Sequence, residues 1–328
     1  MAAVPDRLVA GDISTDAVLA FCKATADAQR LDILRVLRDE SFGVLELCHI
    51  FDSGQPGMSH HLKVLAGAAL LQTRREGNSI FYRRSLITVT NALGDLVSSF
   101  FDAIDRIPLT LAVTERMGEV YQERARNSRQ FFEKNADRLK ENQALIADFS
   151  QYSGCVRDLI ANEQIPASAR VLEIGPGESQ LLGWLAGTFD AAVALDNTAE
   201  MLARSRSTLS SQVAGKVDFQ HGEPADLIRR GERFDLAVLN MVLHHLPSPA
   251  QLFREASLLL NPGGRLLIID LRPHDQDWAR DICGDLWLGF EPHDLDKWAG
   301  DAGLSRSQSV YLGLKNGFQV QVRLFLKP

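Results

Sequence analysis

The segment Val171-Leu172-Glu173-Ile174-Gly175-Pro176-Gly177-Glu178-Ser179 constrains the fold of this 328-residue chain more than any other stretch. An apolar run ends in an acid, two glycines follow, and the helical Leu181-Leu182-Gly183-Trp184-Leu185 comes next. That order reads as a strand, a tight loop that lets a ligand approach the backbone, and a helix. Nineteen residues after Gly177, Ala192-Val193-Ala194-Leu195-Asp196 gives a second strand ending in a carboxylate suited to ribose hydroxyls. By themselves these features suit NAD as well as any other adenosine ligand. From about residue 169 onward, short β-branched runs alternate with helical patterns, as expected of a parallel sheet with crossover helices.

The remaining sequence divides into a head and a middle segment. In the head, Leu31, Ile33, Leu34, Val36 and Leu37 form a helical apolar face, and Val44, Leu47 and Phe51 a shorter one with Gly43 as N-cap. After Asp52-Ser53-Gly54, a helix with Pro56 near its start turns Met58, Leu62 and Leu65 inward and leaves Gln55, Ser59, His60 and Lys63 outside. Leu71 to Arg75 and Ile80 to Arg83 flank Glu76-Gly77-Asn78-Ser79, a hairpin with turn residues in place. A winged helix-turn-helix results, its second helix suited to the major groove and its basic hairpin to phosphates. Net charge is −7, yet residues 55 to 84 carry five basic side chains against the single acid Glu76. One dedicated DNA-contacting face on an acidic protein accounts for both facts.

Over about 90 residues this head resembles ArsR-type repressors, above all in Met58-Ser59-His60-His61-Leu62-Lys63-Val64-Leu65 and the basic wing. The resemblance implies that Gln55, Ser59, His60 and His61 lie near base edges, although His61 is equally readable as a packed helix residue. Lys63, Arg74 and Arg75 are then phosphate neutralisers. A stripe of Leu86, Val89, Leu93, Leu96, Val97, Phe100 and Ile104 reads as core and, by the same resemblance, as the seam of a homodimer matching two operator half-sites. Metal-sensing relatives carry a Cys-x-Cys where this chain has Cys48-His49-Ile50, and residues 86 to 106 hold no histidine, so no metal is expected.

Further segments resemble class I S-adenosylmethionine-dependent methyltransferases: Val217 to Glu223, Phe234 to Leu246, and Leu260 to Asp270. By position, Glu173 then faces the methionine ammonium, with Gly175 and Gly177 against the ligand. Asp196 and the adjoining Asn197 take the ribose, Gly222 and Glu223 the adenine edge, and Asn240 lines the pocket. Ser179 stands where the family often has a third glycine. His244 and His245 are candidate general bases or structural residues. Asp270, Arg272, His274 and Asp275 read as an acceptor site or a polar surface loop.

The expected architecture is therefore an α+β winged helix-turn-helix head (residues 1–107), a helical linker or lid (108–165), and an α/β Rossmann-like class I methyltransferase domain (166–328). The middle segment alternates charge, with Arg124, Arg126, Arg129, Phe131, Phe132, Phe149 and Tyr152, and reads as a solvated helix or a lid. The whole chain resembles proteobacterial regulators of methionine and S-adenosylhomocysteine recycling. That implies a transcriptional regulator whose effector is S-adenosylmethionine or S-adenosylhomocysteine. The alternative is an active small-molecule methyltransferase with an autoregulatory DNA-binding head; a third reading is a DNA-binding scaffold with a vestigial pocket. Four dispersed cysteines (Cys22, Cys48, Cys155, Cys283), no signal-like amino terminus and no membrane-length apolar run point to a cytoplasmic protein with structurally buried thiols.

Overall fold

The computed structural model describes residues 14–77, 79–86, 92–178 and 180–328. Asn78 of the hairpin turn, Val89 of the expected dimer stripe and Ser179 of the glycine loop lie outside them. The chain divides into two compact units, Met1–Glu123 and Arg124–Pro328.

The first unit contains α1 (Thr15–Thr25), α2 (Ala28–Val36), β1 (Phe42–Gly43), α3 (Val44–Phe51), α4 (Gln55–Gly67), β2 (Leu71–Glu76), β3 (Ser79–Arg84) and α5 (Ala92–Asp105). Local sequence sets the helix starts: Ser14 accepts from the Ala17 N–H at 3.1 Å and Asp27 from the Arg30 N–H at 2.9 Å. Asp52, left-handed at φ 48°, ends α3, and Pro56 lies in the first turn of α4. Met58, Leu62 and Leu65, three and four residues apart, are fully buried with Ile33, Leu34, Leu47 and Ile50. The hairpin β2–β3 pairs antiparallel from Leu71↔Arg84 to Glu76↔Ser79, and β1 adds to its β3 edge. Of the expected dimer stripe, Leu93, Val97 and Ile104 are buried within this unit while Leu96 is exposed.

The long helix α6 (Leu111–Asn135) begins in the first unit, where Val113 and Val120 join its core, and continues past the division at Arg124. After it come α7 (Leu139–Ile146) and α8 (Ser153–Asn162), which contribute Ile146, Val156, Leu159 and Ile160 to the second core. Residues 108–165 thus form no third core among the described residues, because their apolar side chains are shared between two.

In the second unit the elements run β4 (Arg170–Ile174), α9 (Gln180–Thr188), β5 (Ala191–Asp196), α10 (Ala199–Thr208), α11 (Ser211–Ala214), β6 (Val217–His221), α12 (Pro224–Arg229), β7 (Phe234–Asn240), α13 (Pro249–Leu259), β8 (Leu260–Leu271), α14 (Trp278–Cys283), α15 (Pro292–Asp301), β9 (Ser305–Gly313) and β10 (Gln319–Leu326). They build a seven-stranded sheet in the order β6-β5-β4-β7-β8-β10-β9. The first five strands of that order are parallel and β10 and β9 antiparallel. Strands β4, β5 and β7 are buried on both faces, which is why they read as continuous Val/Leu/Ala runs. Strand order reverses between β4 and β7, so a crevice opens at their carboxyl ends, where ligands bind in such sheets. Among the described residues, no helix is long and apolar enough to cross a membrane.

Candidate functional site

At the end of β4, Glu173 is 1% exposed, and neither carboxylate oxygen has a hydrogen-bond partner among the described residues. Burial pushes its carboxyl well above the usual range. Gly175 follows at φ +64°, its N–H donating to Leu195 O at 2.8 Å; a Cβ there would lie 2.9 Å from both Val242 methyls. Gly177, at φ +53°, has open space where a Cβ would stand, and its carbonyl accepts from the Ser205 hydroxyl. The loop therefore turns left-handed twice, as only glycine does without strain.

One strand away, Asp196 closes β5 and accepts from the Thr198 N–H at 2.8 Å. Burial raises its carboxyl to about 6, against the Thr198 hydrogen bonds and His221, which lower it. Asn197 accepts from the Thr198 hydroxyl at 3.2 Å, and its carbonyl lies 3.1 Å from His221 Nε2. Gly222 donates to Asp196 O at 3.0 Å. Glu223 is exposed, and its N–H donates to Asp226 Oδ2 at 2.8 Å. Asn240, at the end of β7, accepts from the Tyr152 hydroxyl at 3.1 Å, and burial raises that phenol above its ordinary value against this bond, which lowers it. Glu173, Asp196 and Asn240 thus end three adjacent strands, with Tyr152 joining them from the middle segment.

The histidine pair follows β7 in a short 3-10 turn, Leu243–His245. His244 Nδ1 lies 2.8 Å from Asp270 Oδ1. Burial alone would lower this imidazole, but Asp270 and Asp285 outweigh it and raise it to about 9. His245 is lowered well below its ordinary value by burial and by His244, and its Nδ1 is 3.2 Å from Gly284 O. Asp270 is fully buried inside β8, so it belongs to no surface loop, whereas Asp275 is exposed. Arg124 is likewise no solvated residue: it is buried, donates to Pro247 O at 3.0 Å and lies 5.0 Å over the Trp287 ring.

In the first unit, Gln55, Ser59, His60 and Lys63 are exposed along α4, and Arg75 on β2. Two other candidates lie elsewhere. His61 is half-buried, 3.7 Å from Asp27, and Arg74 pairs with Glu76, which is 1% exposed. Alternation along β2 turns Glu76 inward, and its charge holds Arg74 beside it. The cysteines are not uniformly buried: Cys283 is, Cys48 and Cys155 are half-buried, and Cys22 is exposed.

Residues 172–268 match the family model of a methyltransferase domain. The chain carries a methyltransferase domain. It is 28% identical over 154 residues to a ubiquinone biosynthesis O-methyltransferase of Xanthomonas axonopodis pv. citri, spanning 42% of this chain and 64% of that enzyme, just under two thirds. Over 92 aligned residues, 27% of this chain and 75% of the relative, it is 34% identical to the nodulation protein NolR of Rhizobium meliloti and belongs to its family. At the amino terminus it is 39% identical over 66 residues, 20% of this chain and 51% of the relative, to the HTH-type transcriptional regulator KmtR of Mycobacterium tuberculosis. The magnesium protoporphyrin IX methyltransferase of Synechocystis PCC 6803, solved with S-adenosylhomocysteine, shares the methyltransferase fold. Its TM-score is 0.50 at 18% identity, covering 61% of this chain and 98% of that one.

Proposed function

We propose that the second unit binds S-adenosylmethionine and transfers its methyl group to a small-molecule acceptor. The first unit is proposed to be a winged helix-turn-helix head of the ArsR type, binding double-stranded operator DNA as a homodimer in the cytoplasm. The observation that carries the first part is Glu173, a buried carboxyl with no hydrogen-bond partner among the described residues, beside a loop of two left-handed glycines. A fold keeps such a group against its desolvation penalty only where a ligand completes it. An ammonium group does so for Glu173, and ribose hydroxyls do so for Asp196. S-adenosylmethionine carries both, and when bound it supplies an electrophilic methyl on a sulfonium. The chain's own residues bind and orient: Gly175 and Gly177 let the backbone approach, Gly222 and Glu223 border the adenine, Asn197 supports Asp196, and Tyr152 holds Asn240.

A second reading, a regulator that senses S-adenosylmethionine or S-adenosylhomocysteine without turnover, is favoured by the exposed Gln55, Ser59, His60 and Lys63 of α4 and by the regulator relatives. Calorimetric titration with each ligand, with and without promoter DNA, tests the pocket, and transfer of a labelled methyl group to candidate acceptors tests turnover. The expected result is binding that weakens at least tenfold in Glu173→Gln. Binding of neither ligand overturns the proposal; affinity that depends on DNA, with no methyl transfer, establishes the sensor instead.

A further inference from the structure

We propose that His244, His245 and Asp285 bind one divalent transition-metal ion of the Zn(II) class at the carboxyl end of β7. One donor-type atom from each of the three residues lies within 4.8 Å of the other two, and all three side chains are buried. Asp285 Oδ1 is 3.8 Å from His244 Nε2 and 3.9 Å from His245 Nδ1. Zinc bonds of about 2.0–2.2 Å place tetrahedral donors about 3.4 Å apart, so each ring closes on Asp285 by about half an ångström and no donor pair closes by more than about 1.4 Å.

The His244 ring is held as metal-ligating imidazoles are held. His244 Nδ1 is hydrogen-bonded to Asp270, which leaves its Nε2 towards Asp285. His245 Nδ1 donates to Gly284 O, and its Nε2 is buried with no hydrogen-bond partner among the described residues. Coordination through Nδ1, the nitrogen 3.9 Å from Asp285, exchanges the Gly284 bond for the metal. The two chain segments are tied together by backbone: His244 O accepts from the Leu286 and Trp287 N–H groups at 3.0 and 3.1 Å. The edge-to-face ring of Phe132, 4.9 Å from His245, walls one side.

Donor chemistry selects the ion. Two imidazoles and a carboxylate suit Zn(II) or its first-row neighbours, whereas Mg(II) and Ca(II) prefer oxygen alone. The nearby thiol of Cys283 is engaged elsewhere, donating to Asn142 O at 3.4 Å. A dication here faces Asp285 directly and Asp270 through His244. Three protein donors leave a further coordination position for water or another small ligand. The site stands whether or not the second unit transfers methyl groups.

The test strips the full-length chain with a chelator, dialyses it against zinc and measures bound metal by elemental analysis. One ion per chain is expected, with binding at least tenfold weaker in His244→Gln and Asp285→Asn. The double variant Cys48→Ser/His49→Gln in the first unit is expected to keep the ion. Circular dichroism establishes that the pocket variants are folded; if they are not, cobalt substitution of the unaltered protein decides. A cobalt spectrum of nitrogen and oxygen ligation supports the site. A thiolate-to-cobalt charge-transfer band, or no stoichiometric metal at all, overturns it, as does loss of the ion in the first-unit variant alone.

Discussion

Replacing Asp196 by Asn separates what that residue does for a ligand from what it does to the fold. Its carboxyl is raised from 3.8 to about 6, chiefly by burial. At about 1.36 kcal/mol per pH unit, the folded state above pH 6 carries this charge at a disadvantage of about 3 kcal/mol relative to the unfolded chain. Because the folded value is the higher one, the stabilisation is fully present below 3.8 and is lost as pH rises through about 6. Asn does not titrate, and its side-chain oxygen still accepts from the Thr198 N–H, a bond of 2.8 Å in the native protein. All four tryptophans, Trp184, Trp278, Trp287 and Trp298, belong to the second unit, so their fluorescence reports its unfolding separately from the head. Asp196→Asn is expected to raise the ligand-free stability of this unit by up to about 3 kcal/mol at pH 7.5 in urea titrations, with the gain shrinking towards pH 4. Affinity for S-adenosylmethionine moves the other way, by roughly 10- to 100-fold, since a charged hydrogen bond is worth about 1.5–3 kcal/mol. A variant less stable than the parent at pH 7.5, or a stability gain independent of pH, refutes the reasoning.

Gly175→Ala places a Cβ 2.9 Å from two Val242 methyls at φ +64°, and is expected to lower the tryptophan-monitored stability by about 1–3 kcal/mol and to weaken ligand binding. Tyr152→Phe removes the buried bond to Asn240 and is expected to destabilise the same transition by about 1–2 kcal/mol. In the head, Lys63→Ala is expected to leave folding intact and to make the log–log salt slope of promoter binding shallower by about 0.9 for each phosphate no longer neutralised, read from filter binding across salt concentrations. Arg74→Ala removes an ion-pair partner of the buried Glu76, so calorimetry is expected to show the head's own transition weakened by about 1–3 kcal/mol.

Much of the second unit is legible in the sequence because a parallel strand buried on both faces leaves an unambiguous apolar run. The residue closing such a run is then fixed at the carboxyl edge, which places Glu173 and Asp196, whereas Asn240, followed by Met241-Val242-Leu243, is placed only by the resemblance of its segment to methyltransferases. Asp270 closes a similar run, yet its role is not legible there, because its partner is His244, 26 residues away, and no local periodicity encodes a pairing between β8 and the turn after β7. Asp285 is hidden for the same reason. In the head, Glu76 shares a face of β2 with Gln72 and Arg74, so alternation offers no apolar signal of its burial, charge reads as surface, and Arg74 reads as a phosphate ligand. The middle segment conceals its structure differently: Val113 and Val120 serve one core and Phe149 and Val156 another, so a single helical pattern covers two allegiances.

Three strand ends carrying Glu173, Asp196 and Asn240 make sense only if the ligand-bound form is the one the sequence serves. A fold optimised for its own stability would put apolar or neutral side chains at Glu173 and Asp196, since burial disfavours both charges. A ligand present at about one hundred times its dissociation constant returns about 2.7 kcal/mol. That is close to the disadvantage of about 3 kcal/mol that Asp196 imposes on the empty fold. The occupied unit therefore regains the stability that this acid forfeits, and the empty unit is the weaker of the two. Such a difference is what either proposed role requires: an enzyme that tightens around its methyl donor, or a sensor whose occupied and empty states differ enough to be read by the DNA-binding head.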